Sequence, residues 1–352
     1  MNTSSLLPSA AAVVEQQTVD RVDLLVDTSS KISLLRSRVE SELKAVNTLV
    51  LEQLNSDIAL IRQIGVHLVH SGGKQLRPIT VLLSARACGY SSGSAHITLA
   101  AVIEFIHTAT LLHDDVVDAS SLRRGETTAN QLWGNPASVL VGDFLYSRAF
   151  EMMVTAGKME VMDIMAHTTN TIAEGEVMQL LNCYVADVTE DQYIEVIHRK
   201  TAQLFSAAAE LGAVLGQQPP AIRQALAAYG THLGTAFQLI DDLLDYRGDT
   251  TELGKNTGDD LEEGKPTLPL IYALLKGSVK QQNLIRQAIE QGGRERIEEV
   301  LEIVESTGAL AYTSHLAREQ IKAAKQALTV LPHSTYSTGL MDLADLAVER
   351  SF

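Results

Sequence analysis

Two aspartate clusters have the residue types and the spacing best suited to chemistry. Both have the form Asp-Asp-x-x-Asp, and they comprise Asp114, Asp115 and Asp118, and Asp241, Asp242 and Asp245. On a helix, residues four apart share a face and lie about 6 Å apart along the axis, so the outer carboxylates of each cluster repel one another. Mg²⁺ between them would relieve this repulsion, because it takes a few carboxylates and completes its shell with phosphate oxygens and water. Two matched clusters therefore predict metal ligands that hold a polyphosphate.

A solvated acidic helix face is the alternative interpretation of such a charged run. The flanking segments "FIHTATLL" and "GTAFQLI" are apolar, however, which is typical of helices that face the protein interior. The apolar flanks and the matched spacing favour metal binding.

Basic residues at predicted loops and helix ends complement the aspartates. Arg123 and Arg124 follow the first cluster, and the rigid fork of arginine suits bidentate phosphate contact. The others are Lys74, Arg77, Lys200, Lys255 and Lys265. His107 precedes Asp114 by seven residues and lies on nearly the same helix face, about 10 Å away along the axis. As a set, the basic residues outline a site for two phosphorylated molecules.

Several other classes of function are disfavoured. The segment "SGGK" is no nucleotide P-loop, because Leu68 and Gln75 stand where that motif needs Gly and Ser or Thr. A net charge of −15 argues against general nucleic-acid binding. Cys88 and Cys183 form no disulfide framework or metal-ligand spacing, as expected of ordinary thiols in a reducing cytoplasm. We found no signal peptide and no uninterrupted apolar run of about 20 residues, so the sequence predicts a cytoplasmic protein without a transmembrane segment.

The elements that must position these residues are predicted to be helices. Apolar residues recur at three- and four-residue intervals over roughly 95–118, 136–156, 158–182, 190–215 and 219–247, with no alternation that would predict a sheet. We find no linker that would separate two domains. The sequence therefore predicts an all-α fold, with one catalytic domain over residues 29–352 after a flexible tail at residues 1–28.

Five motifs in order carry a family resemblance: "GGKQLRP", "HDDVVDASSLRRG", "KTAQLF", "FQLIDDLLDY" and "GKNTGDDLEEGKPTLP". Over about residues 30–352 the sequence resembles the trans-type polyprenyl diphosphate synthases. The stretches "IHTATLLHDDVVD", "ASVLVGDFLYSRAF" and "IAEGEVMQL" are most similar to the bacterial octaprenyl diphosphate synthases. The resemblance implies a bundle of long helices around a central, deep active-site cavity, the isoprenoid synthase type.

The resemblance also implies a role for each matching residue. Two or three Mg²⁺ ions would be held by Asp114, Asp118 and Asp241, with Asp245 as a further ligand. The allylic diphosphate would be held by Arg123, Lys200, Thr201, Gln238 and Lys255. Isopentenyl diphosphate would be held by Lys74, Arg77, His107 and Arg124, and supporting roles fall to Asp115, Asp242 and Lys265. The C-terminus "AVERSF" lacks the strongly basic end of some relatives, which leaves open whether Arg350 closes over isopentenyl diphosphate.

The implied reaction is a head-to-tail condensation. Departing pyrophosphate leaves an allylic carbocation, towards which the Thr201 hydroxyl and the Gln238 amide oxygen can turn their dipoles. The alkene of isopentenyl diphosphate attacks, and the released pyrophosphate accepts the proton. Metal and cationic side chains neutralise the leaving group, and water must be excluded.

The residues one helical turn before the first cluster indicate the length of the product. Thr110 lies one helical turn deeper than Asp114 on the same face, and the resemblance adds Ala109. Small residues at both positions predict a deep tunnel and a long product. The resemblance implies an octaprenyl product, with nonaprenyl or another length as the alternative. Phe144, Phe150 and Met153 are candidates for the tunnel floor, although such residues are more often plain core.

Three alternatives remain from the sequence: a terpene cyclase, a non-catalytic partner of a prenyltransferase, and a metal-buffering helical protein. The family resemblance further implies a homodimer and a product that is passed to membrane enzymes for quinone side chains.

Overall fold

The computed structural model describes residues 30–70, 72–123, 125–247 and 258–349, and these are almost entirely helical. The first half contains α1 (30–37), α2 (Glu40–Gln53), α3 (Ala59–His70), α4 (Leu76–Ala87), α5 (Ala95–Val117), β1 (Leu122–Arg123), β2 (Glu126–Thr127), α6 (Ala129–Trp133), α7 (Asn135–Thr155) and α8 (Met159–Asn182). The second half contains α9 (Glu190–Ile197), a π-helical turn (His198–Ala202), α10 (Gln203–Leu215), α11 (Pro220–Asp245), α12 (Asp259–Glu262), α13 (Leu268–Lys276), α14 (Val279–Gln291), α15 (Ile297–Ser306), α16 (Ala309–Ala327), a 3₁₀ turn (Leu328–Val330) and α17 (Thr335–Glu349).

The all-α prediction is confirmed, and the ends of the long predicted helices agree with the structure within two residues. Two details differ from the prediction. The helix expected over 190–215 is interrupted by the π turn His198–Ala202. The strands β1 and β2 form a two-residue antiparallel pair just after the first aspartate cluster, too short for alternation to reveal it. The predicted tail, residues 1–28, lies outside the described residues.

The centre of the bundle consists of long helices that pack side by side. Helix α5 packs along α7, while α11 lies between α10 and α16, and α10 also packs against α4. Their buried faces form one large apolar core, which includes Leu82, Ile103, Leu145, Phe205 and Tyr229. Both aspartate clusters occur at the C-terminal ends of helices from this centre, α5 and α11. The core therefore fixes the position of both clusters.

Close helix packing holds the π turn in place. A Cβ added at Gly175 of α8 would lie 2.7 Å from the backbone nitrogen of Lys200, and one added at Gly234 of α11 would lie 2.6 Å from Cα of Ala202. Such distances are too short for real carbon contacts, so only glycine permits both helices to approach this closely. π turns are frequent at functional sites. This one carries Lys200 and Thr201, both of which were assigned from the sequence.

Helix α5 is the one described helix long and apolar enough to cross a membrane, judged by length and composition alone. The sequence criterion of an uninterrupted apolar run did not select this helix, because two aspartates lie near its C-terminal end. Some 56% of its most apolar window is buried inside the protein, and a core helix passes the same test.

Candidate active site

One cavity of about 770 Å³ lies where α4, α5, α8, α9, the π turn and α11 meet. The site residues predicted from the sequence that line it are Lys74, Arg77, His107, Thr110, Asp114, Asp118, Arg123, Lys200, Thr201, Gln238, Asp241, Asp242, Asp245 and Lys265. The fold therefore brings both aspartate clusters, 127 positions apart in the sequence, and most of the predicted basic residues around a single space.

Two residues assigned to the site, Ala109 and Asp115, are described by the structure but do not line this cavity, and neither do the candidates for the tunnel floor, Phe144, Phe150 and Met153, which belong to the apolar core or pack against it. Ala109 is fully buried in the core behind Thr110, and Asp115 is buried beneath the first cluster. Arg124, Lys255 and Arg350 lie outside the described residues. The roles of these residues remain predictions, as do those of the residues that line the cavity.

The first aspartate cluster is surrounded by cationic side chains. Lys265 Nζ lies 2.9 Å from Asp118 Oδ2 and also contacts Glu263. Lys200 Nζ lies 3.8 Å from Asp114 Oδ2. Although burial opposes the charged form of Lys265, the carboxylates of Asp118 and Glu263 outweigh it and raise its pKa. Both lysines therefore bring positive charge to the cavity, beside the first cluster.

Asp115 has a different partner within the same cluster. Its Oδ1 accepts from Arg123 Nε at 2.7 Å and lies 2.6 Å from Arg123 Nη2. Burial raises the pKa of Asp115, and the Arg123 charge counteracts part of that effect. This pair fixes the guanidinium at the cavity wall, so Asp115 acts on the site through Arg123.

In the second aspartate cluster, Asp242 and Asp245 accept hydrogen bonds from neutral groups. Asp242 accepts from the Tyr193 hydroxyl at 2.5 Å and from Gln238 Nε2 at 2.7 Å. The two oxygens of Asp245 each accept a backbone N–H, from Asp259 and Asp260, at 3.2 Å. Asp245 thereby orients the first turn of α12.

The titration of Asp242 reflects this environment. Burial first, and then the negative charge of Asp260, raise the pKa of Asp242 to about 8. The hydrogen bonds from Tyr193 and Gln238 favour the ionised form and act in the opposite direction. Asp242 is therefore a buried acceptor with two fixed donors.

Arg77 is held from two sides. Its Nη1 donates to His107 Nε2 at 3.2 Å, and its guanidinium carbon lies 4.4 Å from the centroid of the buried Phe205 ring. Stacking of a guanidinium on an aromatic face is attractive and restrains the plane of the cation. Arg77 and His107, both predicted to hold isopentenyl diphosphate, thus reach the cavity as a preorganised pair.

Sequence reasoning missed several residues that line the cavity, Glu176, Gln179, Asn182, Tyr193 and Asp260 among them. Glu176 Oε2 and Gln179 Oε1 each lie 2.6 Å from Lys200 Nζ. Burial raises the pKa of Glu176 to about 7, although the Lys200 charge opposes the shift. The spacing of Glu176, Gln179 and Asn182 on one helix face was a readable signal. Tyr193 had none, because it looks like an ordinary amphipathic helix residue.

The donor set at the cavity suits a hard divalent cation. Asp114, Asp118 and Asp241 supply carboxylate oxygens. Oxygen ligands of this kind are typical of Mg²⁺ or Ca²⁺ rather than of a transition metal. Within the described ranges, no three His, Cys, Asp or Glu side chains are grouped closely enough to hold a metal ion by themselves. The residues therefore fit an ion that completes its shell with phosphate oxygens and water.

Comparisons with known proteins agree with this geometry. The sequence profile of the polyprenyl synthetase family matches residues 58–306. The chain is 54% identical to octaprenyl diphosphate synthase from Escherichia coli, over 88% of this chain and 96% of that protein. It is 47% identical to all-trans-nonaprenyl-diphosphate synthase (geranyl-diphosphate specific) from Rhodobacter capsulatus, over 89% of this chain and 96% of that protein.

A solved structure shares the fold. The polyprenyl synthase from Caulobacter crescentus, crystallised with calcium and isoprenyl diphosphate, superposes with a TM-score of 0.88 at 43% identity, covering 91% of this chain and 98% of that one. That complex indicates the use of a divalent metal within the family. The comparisons decide against a terpene cyclase, a non-catalytic partner and a metal-buffering protein. The chain therefore belongs to the polyprenyl synthetase family, whose members are prenyltransferases that condense isopentenyl diphosphate with an allylic diphosphate to make trans-polyprenyl diphosphates.

Proposed function

We propose that this chain synthesises octaprenyl diphosphate from farnesyl diphosphate and isopentenyl diphosphate, with Mg²⁺ as the metal. The single observation that carries the proposal is the convergence of both aspartate clusters and the basic side chains on one cavity. The identity to an octaprenyl diphosphate synthase supports the length of the product. Nonaprenyl diphosphate is the alternative product, because a nonaprenyl synthase is only slightly less similar.

The proposed site roles follow from position. Asp114, Asp118 and Asp241 are the proposed metal ligands, and Asp245 is a further candidate whose carboxylate is oriented by backbone N–H groups. Bound Mg²⁺ supplies Lewis-acid neutralisation of the leaving diphosphate. The other proposed contacts to the allylic diphosphate are Arg123, Lys200, Lys255 and Lys265. Isopentenyl diphosphate is proposed to bind Lys74, Arg77, His107 and Arg124.

The chain's own residues contribute charge, orientation and exclusion of water. Lys200 and Lys265 place positive charge where the departing diphosphate gains negative charge, so they stabilise that transition state more than the bound substrate. The Arg77–His107 pair fixes the isopentenyl diphosphate so that its alkene faces the allylic carbon. Phe205 and Phe237, whose rings lie 5.7 Å apart, form an apolar wall beside this position. Such a wall protects a carbocation from water.

The direct test is an incubation of the purified full chain with farnesyl diphosphate, labelled isopentenyl diphosphate and Mg²⁺, with and without EDTA. Products are dephosphorylated and sized by mass spectrometry. We expect an EDTA-sensitive product of octaprenyl length. A different length would overturn the octaprenyl assignment, and no elongation would overturn the proposed function.

Thr110 tests where the growing chain runs. Thr110 lines the cavity on the face of α5 that carries Asp114, so Thr110→Phe should block the path and shorten the product. Thr110→Val, which keeps the side-chain size, should leave the product distribution unchanged. An unaltered distribution in Thr110→Phe would show that the product does not pass this face.

We further propose a homodimer. Helices α7 and α8 expose large apolar side chains, Leu140, Val154, Val177, Leu180 and Leu181, each between 58% and 71% accessible. A second copy of the chain would remove these from water. Light scattering should give twice the chain mass, and Leu140→Glu should reduce it to the monomer. The control Leu275→Glu, at an equally exposed position on α13, should remain dimeric.

The proposed setting is the cytoplasm, with the product passed to membrane-bound enzymes that attach it to quinones. A long polyprenyl chain partitions strongly into lipid, because each buried methylene contributes about 0.8 kcal/mol. The acceptor of such a product must therefore lie at or in a membrane.

A further inference from the structure

A continuous row of hydrogen bonds joins four side chains in the wall of the cavity. Tyr193 on α9 donates its hydroxyl to Asp242 Oδ2 at 2.5 Å, and Gln238 Nε2 donates to Asp242 Oδ1 at 2.7 Å. Thr201 Oγ1, on the π turn, donates to Gln238 Oε1 at 2.9 Å. Tyr193, Asp242 and Thr201 are all buried. Three different elements are thereby joined through four side chains.

The row determines the orientation of the polar group at its end. Because the amino group of Gln238 donates to Asp242 Oδ1, the amide oxygen of Gln238 faces Thr201. The Thr201 hydroxyl therefore directs its proton at Gln238 and keeps its lone pairs for other contacts. Because Thr201 lines the cavity, the negative end of its dipole is available there.

The orientation matters for a reaction that passes through a cation. A hydroxyl lone pair stabilises nearby positive charge, whereas a hydroxyl proton turned towards it is repulsive. From the sequence, we expected both the Thr201 hydroxyl and the Gln238 amide oxygen to direct their dipoles towards the cation. In the structure the amide oxygen of Gln238 is engaged by Thr201, so Gln238 serves to orient the hydroxyl.

We propose that Tyr193 is a positioning residue that acts through Asp242 and Gln238 to keep the lone pairs of Thr201 directed at the allylic carbon. The proposal deepens the proposed function and rests on it. Tyr193 contributes no atom to the reaction. Its hydroxyl is the fixed donor at the end of the row opposite Thr201, which prevents Asp242 from rotating and releasing the Gln238 amide.

The matched control is another buried tyrosine. Tyr229 lies fully buried on α11, the helix of Gln238, and its hydroxyl donates to the backbone oxygen of Leu340 at 2.7 Å. Tyr193→Phe and Tyr229→Phe each delete one buried hydrogen-bond donor, so both should lower the melting temperature. Only Tyr193→Phe should alter the chemistry.

The measurement is the single-turnover rate of the first condensation, in which the chemical step is separated from product release. We expect Tyr193→Phe to lower this rate on the order of 10-fold, which corresponds to about 1.4 kcal/mol of transition-state stabilisation. The KM for isopentenyl diphosphate should stay within about twofold of wild type, because Arg77 and His107 are untouched. Tyr229→Phe should keep the wild-type rate.

A double-mutant cycle tests the route of the effect. If Tyr193 acts through the Thr201 hydroxyl, Tyr193→Phe should change the rate by less than about twofold in a Thr201→Val background. The inference is overturned by a wild-type rate in Tyr193→Phe, by an equal loss in both backgrounds, or by an equal loss in Tyr229→Phe. Absence of elongation by the wild-type chain would overturn the proposed function and this inference together, whereas the other outcomes concern Tyr193 alone.

Discussion

The two aspartate clusters have the same spacing and line the same cavity, but their surroundings differ. The first, on α5, is surrounded by side-chain cations: Lys200 near Asp114, Arg123 on Asp115 and Lys265 on Asp118. In the second, on α11, Asp242 and Asp245 accept hydrogen bonds from neutral donors: the Tyr193 hydroxyl, the Gln238 amide and two backbone N–H groups. Ionic partners add net charge to the site, whereas neutral donors fix geometry without adding charge.

This difference separates what each cluster can do. Around the first cluster, flexible lysines can leave their carboxylates and follow a diphosphate, since an ammonium group is a point charge on a long stem. Around the second, these bonds to Asp242 and Asp245 come from the buried Tyr193 hydroxyl, from the short side chain of Gln238 and from backbone N–H groups. The same motif therefore has long, flexible ionic partners on α5, whereas on α11 Asp242 and Asp245 have shorter, neutral partners.

The largest expected effect is that of Asp114→Ala. Asp114 faces the cavity and is a proposed metal ligand, so its loss should lower the condensation rate on the order of a thousandfold or more. The far-UV circular dichroism spectrum should not change, because the side chain is not part of the core. Wild-type-like turnover in this variant would refute the metal assignment of the first cluster.

Asp115→Ala should act mainly on stability. Removing the buried carboxylate leaves the Arg123 charge without its partner, and the partial exposure of Arg123 limits the cost to about 2–3 kcal/mol. Urea unfolding measures the change. Asp143→Ala, which removes an exposed carboxylate on α7 near His113, is the control and should cost less than about 0.5 kcal/mol. Equal effects in the two variants would contradict the structural role of Asp115.

The raised pKa of Glu176, which lies next to the first cluster, predicts that the free energy of unfolding depends on pH. Its pKa is raised from 4.5 to about 7, so the folded chain binds a proton that the unfolded chain loses over this range. The contribution of Glu176 to the free energy of unfolding is therefore fully favourable below about pH 4.5 and is lost as the pH rises through 7, in total about 3 kcal/mol.

The measurement is urea unfolding in EDTA at several pH values. Glu176→Gln should flatten the decline between pH 4.5 and 7, whereas Glu174→Gln, an exposed position on the same helix, should retain it. Asp242, whose raised pKa produces a decline of the same sign, is present in both variants. Parallel curves for wild type and Glu176→Gln would rule out the shift.

The smallest effect is expected for Asp245→Ala in the absence of metal. Two backbone N–H groups at the start of α12 lose their acceptors, which costs about 1 kcal/mol, as for a helix cap. Amide hydrogen exchange should accelerate at Asp259 and Asp260 and stay unchanged in α5. Unchanged exchange at those two amides would show that Asp245 does not orient α12.

The sequence predicted the fold and most of the cavity wall for identifiable reasons. Long apolar periodicities located α5, α7, α8 and α11, and the motifs placed both clusters at helix ends that the core holds together. What could not be read from sequence is which partner each carboxylate has. Asp242 and Asp115 occupy equivalent motif positions, yet one contacts Tyr193 on α9 and the other contacts Arg123 eight residues away.

The local irregularity of the π turn could not be predicted from the sequence either. The π turn at Lys200 and Thr201 depends on the close approach of Gly175 and Gly234 from two distant helices, which no local propensity reveals. Phe205 belongs to the motif "KTAQLF", but its position beneath Arg77 requires α4 and α10 to pack side by side. Such features arise from tertiary contacts.

The most direct test of the difference between equivalent carboxylates is calorimetric binding of a non-ionising allylic thiodiphosphate in the presence of Mg²⁺. Four variants are compared: Asp114→Asn, Asp241→Asn, Asp115→Asn and Asp242→Asn. We predict that Mg²⁺-dependent binding is lost in the first two and stays within about tenfold of wild type in the last two, because Asp115 and Asp242 act through Arg123 and Gln238. An equal loss in all four would show that every carboxylate of the motif binds metal and would contradict this division of roles.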